Sequence, residues 1–489
     1  MKAWIKYFLL AHTLCLALGC IAACDVVEEA DGQSSDAETT VDATEPATTA
    51  PETDSEATTT ESEAGEVTTE PVTESTSTEP ETEPGDSTEP DSTEPETEPR
   101  PVPEMNISMS DLSDIMQPLM WKNNGTVKSE TVMFLDKSAP YNAKTLMYDP
   151  VEILSVTSYN ETVTYTEGVD YELRDGKLVI LEGSSIPCIG LDTYHNGDGM
   201  IQKDGHSLFW GEGSTMTAWQ VCVNYTTADT WTGYEQKSYT DIYANFLCKL
   251  ERGEDVTIFF YGDSITYGAN ASYYVGGGTG QYPYPILFTN ALADLYGYTV
   301  NYVRTVSNPV LPAESYVAGD RGTITYVNTA VGGWTSQAGL DKVNTHVKPY
   351  LNNFGCDLFV YAFGMNDGGA SNNAMTAKNA QTMFDQYIIP FYPDAAFMMV
   401  TTMVPHPGST WDGSQKNQAT YFDRVASSYA KEGVDVAVAN MTKVTQSLYE
   451  RKDFEDSTGN NINHPNDFLG RIYAQTLLQT LIGYENMGD

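Results

Sequence analysis

A serine closes an apolar run in the stretch Phe259-Phe260-Tyr261-Gly262-Asp263-Ser264, and a second glycine, Gly268, follows shortly after. A hydroxyl becomes a nucleophile only when a neighbouring base takes its proton. Acyl transfer also needs hydrogen-bond donors aimed at the developing oxyanion. Three later stretches carry residue types suited to those tasks. Asn328-Thr329-Ala330-Val331-Gly332-Gly333-Trp334-Thr335 and Gly364-Met365-Asn366-Asp367 each follow a strand-like run and offer amide donors. Asn463-His464-Pro465-Asn466-Asp467 precedes a helical stretch and offers an imidazole. Any one of these pieces is a weak signal. All four in this order, each at the end of an expected element, form a specific combination.

The elements that must position them alternate. Strand-like runs at 256–260, 324–327, 358–362, 396–400 and 434–439 alternate with helix-like stretches near 284–296, 336–351, 374–389, 417–432 and 468–483. Such alternation implies an α/β fold, a parallel sheet with flanking helices in three layers. Ligands of such sheets bind at the carboxyl ends of the strands, where Ser264 falls. Residues from about 106 to 240 have a different texture, with short alternating runs (151–157, 162–166, 177–181) broken by Glu167-Gly168 and Asp175-Gly176. That pattern predicts a β-sandwich accessory domain over 103–250, ahead of the α/β domain over 251–489.

At these four blocks the chain resembles the SGNH hydrolases, also called GDSL-type esterases, over roughly 255–485. Gly262-Asp263-Ser264 matches the first block. Asn328 with Gly333 five residues on matches the second, Gly364 to Asp367 the third, and His464 the histidine of the last. The resemblance implies that Ser264 attacks an ester carbonyl and that His464 takes its proton. It further implies an oxyanion hole made of the Ser264 and Gly333 amides and the Asn366 side chain. The family's last block carries an acid three positions before the histidine, and here that position is Asn461. Two arrangements stay open: a Ser–His dyad with a neutral oxygen such as that of Asn461 orienting His464, or another acid such as Asp456. Asp467 is expected to cap the following helix, and Asp263 and Asp367 to brace their loops. His406, in Val404-Pro405-His406-Pro407, and Trp334 are expected to line the substrate site.

The loop after the nucleophile is rich in tyrosine and glycine, and Trp411 follows a strand end. Aromatics of this kind suit stacking on sugar rings, and no long apolar run suggests a lipid-binding lid. Within the family the layout resembles carbohydrate esterases that deacetylate plant-wall polysaccharides such as xylan. A lipid or lysophospholipid esterase, and a non-catalytic carbohydrate-binding surface protein, are the alternatives.

The beginning of the chain bears on location. Lys2 and Lys6 precede an apolar run at 7–18, too short to span a bilayer, which reads as a secretory signal. Ile21-Ala22-Ala23-Cys24 resembles a lipoprotein cleavage site, predicting a lipidated Cys24 and a body tethered to the cell surface; Cys20 is a weaker candidate. Residues 25–102 are Thr, Glu, Ser and Pro with almost no large apolar side chain, and Ser-Thr-Glu-Pro recurs at 77–80, 87–90 and 92–95. Such a tract cannot bury enough apolar surface to offset chain entropy and reads as an extended linker. The whole chain carries −43, of which residues 25–100 hold −24; with +2 from Lys2 and Lys6, residues 101–489 hold −21. A phosphate-tracking nucleic-acid surface is thereby disfavoured. Cys188, Cys222, Cys248 and Cys356 show no metal or redox spacing, so neither metal nor cofactor is expected. The sequence leaves the oligomeric state open.

Overall fold

The computed structural model describes residues 101–308, 310–369 and 372–489. The leader, Cys24 and the acidic tract through residue 100 lie outside the described residues. The described residues form one compact unit.

Its centre is a seven-stranded sheet in the order 316–317, 299–303, 323–328, 256–262, 358–362, 396–400, 436–439. Six strands are parallel, and Tyr316–Val317 closes one edge antiparallel. The first strand, Val256–Gly262, lies in the middle. Of the six parallel strands, the second and third in chain order lie on one side of it and the fourth to sixth on the other. All seven of its residues are buried, as a strand covered by helices on both faces requires. Phe260 packs edge-on against Tyr284 and Phe288 of the helix Tyr284–Tyr296 on one face. Phe259 stacks on Phe359 on the other. Five strands and five helical stretches thus lie where the alternation of the sequence places them. The stretch near 336–351 is broken into Ser336–Asp341, Val343–His346 and Lys348–Phe354. Pro349, at the start of the third piece, lacks the amide needed to continue a preceding helix. The short strand Thr299–Val303 and the helices Ala244–Glu251 and Met441–Tyr449 are additions to the expected set.

Residues 101–250 contain a four-stranded antiparallel sheet (126–133, 220–227, 150–158, 164–165) and a three-stranded one (143–144, 177–180, 171–174). They are not set apart from the α/β body. Val132, Val156 and Val223 of these strands share one hydrophobic core with Ile258, Leu469 and Ile472. The boundary expected at 250 falls in the last turn of the helix Ala244–Glu251. Just before that helix, the hydroxyl of Tyr243 donates to the Phe397 carbonyl of the large sheet.

The final helix, Asp467–Leu481, shows how the two parts depend on each other: all fifteen of its residues are buried. Its polar side chains bond the N-terminal segment instead of water. Arg471 Nη2 donates to the carbonyls of Lys128 and Ser129 (2.9 and 2.8 Å). Gln475 accepts from the Leu119 amide and donates to the Gln117 carbonyl, and Gln479 donates to the Gln236 carbonyl. A buried ionic cluster of Glu130, Lys144, Lys452 and Asp456 lies at the same junction. A buried charge is tolerated only when paired in this way.

Candidate active site

The first strand explains the Gly-Asp-Ser turn. A Cβ on Gly262 would lie 2.4 Å from Thr266 Oγ1 and 2.5 Å from the Ala362 carbonyl oxygen, so only glycine lets the turn fold back here. Asp263 caps the turn Ser264–Tyr267 by accepting from the Ile265 amide (3.0 Å). Burial pushes the Asp263 carboxyl up to about 7, against that hydrogen bond. Asn328 holds the turn from the neighbouring strand, its Nδ2 donating to the Thr266 carbonyl (2.9 Å). Asp263 and Asp367 are braces: Asp367 accepts from the Ser336 amide and from the Ser336 and Thr376 hydroxyls, tying the second block to the third.

Ser264 Oγ lies 2.9 Å from His464 Nε2, across 200 residues of sequence. The histidine loop is rigid. Asn460 Oδ1 accepts from the amides of Ile462, Asn463 and His464, and the His464 carbonyl accepts from the Gly459 amide and the Thr458 hydroxyl. With Nε2 accepting from the serine, a neutral imidazole carries its proton on Nδ1. Two acceptors meet that proton: Asn270 Oδ1 at 2.7 Å and Glu212 Oε2 at 3.3 Å. The Asn270 amide cannot be flipped, because its Nδ2 donates to the carbonyls of Gly213 and Gly459, which only accept. Asn460 Nδ2 approaches Nδ1 to 3.0 Å, but its hydrogens go to Glu212 Oε1 and Asn463 Oδ1.

Neither residue expected to orient His464 does so. Asn461 adopts a positive φ of 66°, which turns its side chain toward the preceding region, where Nδ2 donates to the Phe209 carbonyl (2.7 Å). Asp456 is buried in the ionic cluster, 3.1 Å from Lys144 and accepting from the Met133 amide. His406 also differs from expectation. It is fully buried, its ring edge-on to Phe454 and neither nitrogen bonded, and burial drives its pKa down to about 4. A neutral core imidazole is the result, with no surface to offer a substrate.

The expected oxyanion donors lie on loops at the same sheet edge. Gly333 adopts a φ of +76°, and no atom lies within 4 Å of where its Cβ would be, so its backbone faces open space. The Val331 amide donates to the Gly262 carbonyl (3.1 Å), fixing this loop beside the nucleophile turn. Asn366 Oδ1 accepts from the Trp411 indole N–H (3.2 Å), which is a donor only. That contact sets the amide so that Nδ2 points the other way, one hydrogen to the Trp334 carbonyl (3.2 Å) and one unspent. Trp334 itself is half-buried against His346, with 4.7 Å between ring centres.

Residues 258–468 match the model of the GDSL-like lipase/acylhydrolases. The matched segment is similar to that family and covers less than half of the chain. Glu212 lies outside the matched segment. Among solved structures the chain is similar to a two-domain esterase active on acetylated mannans, at 16% identity over 50% of this chain and 54% of that one, with a TM-score of 0.34. It is similar to an acetyl xylan esterase at 16% identity, over 46% and 98% of the two chains, with a TM-score of 0.32. It is also similar to the lipase/acylhydrolase from Enterococcus faecalis at 16% identity, over 46% and 94%, with a TM-score of 0.29. The chain spans about half the length of the first of these. No curated protein matches the chain.

Proposed function

We propose that the GDSL-like domain is a serine esterase that removes short acyl groups, acetyl above all, from polysaccharide. The observation that carries the esterase reading is the 2.9 Å contact between Ser264 Oγ and a His464 whose far nitrogen is held in place. In the proposed sequence Ser264 Oγ attacks the ester carbonyl carbon as His464 Nε2 takes the hydroxyl proton. The carbonyl π electrons move to oxygen, which the amides of Ser264 and Gly333 and the spare Asn366 N–H receive. Collapse expels the sugar hydroxyl, protonated by His464, and leaves acyl-Ser264. Water, deprotonated by His464, attacks that ester and releases the acid and the free serine.

Support for a carbohydrate ester is a tyrosine cluster close to the nucleophile in sequence. Tyr273 packs against both Tyr274 and Tyr282, and Tyr267 stacks on Tyr274, in and beside the loop that follows the nucleophile. The test is acetate release from a panel of acetylated glycans, set against p-nitrophenyl esters of increasing chain length. Acetate release from glycans, with activity falling beyond short acyl chains, is expected; a preference for long chains would replace this reading with a lipid esterase.

The domain would work at the cell surface, lifted on the acidic tract from a lipid on Cys24. A Cys24→Ala precursor should then leave the membrane fraction. Its retention there would move the anchor elsewhere, with Cys20 the first place to look.

A further inference from the structure

We propose that Glu212, on a loop of the region preceding the GDSL-like domain, is the carboxylate that positions His464, so that residues outside the family segment complete the catalytic site. The inference rests on the esterase reading and adds to it a residue 252 positions from the histidine.

Three observations carry it. The loop is fixed to the site from both sides. The Gly211 amide donates to the Asn460 carbonyl (3.2 Å), Asn461 Nδ2 to the Phe209 carbonyl (2.7 Å), and Asn270 Nδ2 to the Gly213 carbonyl (2.9 Å). The two oxygens of Glu212 are then divided between the histidine loop and the histidine: Oε1 accepts from Asn460 Nδ2 (3.0 Å) and Oε2 faces His464 Nδ1 (3.3 Å). Lastly, the position three before the histidine has no acid to offer, because it is Asn461 and turns away.

The two acceptors at Nδ1 divide the work. Asn270, closer and neutral, holds the tautomer and the ring plane. An amide oxygen does little for the positive charge that appears when His464 takes the serine proton, and Glu212 is placed to balance it. Burial opposes ionisation of Glu212, but its contacts with His464 and Asn460 outweigh it and hold the carboxyl below its ordinary range. Asp263, buried under the nucleophile turn, is a further titratable group that interacts electrostatically with His464.

Glu212→Gln tests the assignment, because it keeps the shape and removes the charge. Losing a negative neighbour disfavours imidazolium, so the acidic limb of kcat/KM should move to lower pH, by about one unit or less given that the Glu212 side chain is 47% exposed. We expect kcat to fall roughly 10- to 100-fold with KM within about twofold. That is less than the ~10⁴ lost with a buried triad carboxylate, since Asn270 keeps the tautomer. Glu212→Asp, which retains the charge, should recover much of both. A direct readout is the His464 ring titration followed by NMR in the Ser264→Ala protein, which needs no turnover and so separates this inference from the esterase reading. A midpoint that drops in Glu212→Gln supports the role. An unmoved midpoint, or a loss of activity with the limb in place and the melting temperature lowered, would make Glu212 a prop for the loop and overturn the proposal.

Discussion

Ser264→Ala should reduce esterase turnover by about 10⁴-fold or more and leave the fold intact. The large effect follows from what remains. Without Oγ there is no acyl-enzyme path, and a positioned His464 and an oxyanion pocket can only assist direct attack by water. The fold should survive because the Ser264 hydroxyl has one hydrogen-bond partner, His464 Nε2, on a ring 12% exposed and able to bond water instead. Hydrolysis of p-nitrophenyl acetate, a fluorophosphonate label and a melting curve on one preparation check all three points. Retained turnover above a few per cent of wild type, or labelling of the alanine variant, would remove Ser264 as the nucleophile.

Asn366→Ala carries the second largest expected effect, a fall in kcat of roughly 10²–10³ with KM little changed, the usual result of losing one oxyanion-hole donor. The structure adds a condition. The donor faces its work because Trp411 holds Oδ1, so Trp411→Phe keeps the amide but frees it to rotate and should produce a smaller loss of the same kind. If Asn366→Ala raised KM and left kcat alone, Asn366 would be a substrate-binding residue.

The comparison of these residues with Glu212 and Asn270 shows what a linear sequence can carry. Ser264, Gly333, Asn366 and His464 are legible because each sits at the end of a strand or helix whose periodicity announces it. The parallel sheet then brings those ends to one edge. The partners of His464 Nδ1 have no such signal. Asn270 lies in a turn six residues after the nucleophile and reads as a turn residue; its oxygen reaches the ring through a positive φ of 66°. Glu212 stands between two glycines, in a stretch whose composition indicates only a loop. Spacing to the histidine favours Asn461 and Asp456, but spacing measures distance along a chain. The ionic cluster and the Phe209 carbonyl claim those two side chains. His406 errs the same way: a strand end flanked by prolines looks like a site wall, and the loop folds it inward. The division of the chain follows the same logic. Alternating texture marks a change between residues that form small antiparallel sheets and the α/β pattern, yet texture cannot show that both feed one core.

That shared core governs the order in which the molecule can be finished during synthesis. The segment near Ser108 pairs with Gly488, Thr131 and Met133 bond Asp456, and Lys128 and Ser129 await Arg471. The first strands of the described unit to leave the ribosome therefore have partners made more than 300 residues later. Contacts closing loops of more than 300 residues form late, and until they do, apolar strand faces stay uncovered. A chain interrupted before residue 456 lacks His464 and also the helix against which its earlier strands pack. Such a fragment should be cleaved by proteases more readily than a chain that extends through the helix ending at Leu481.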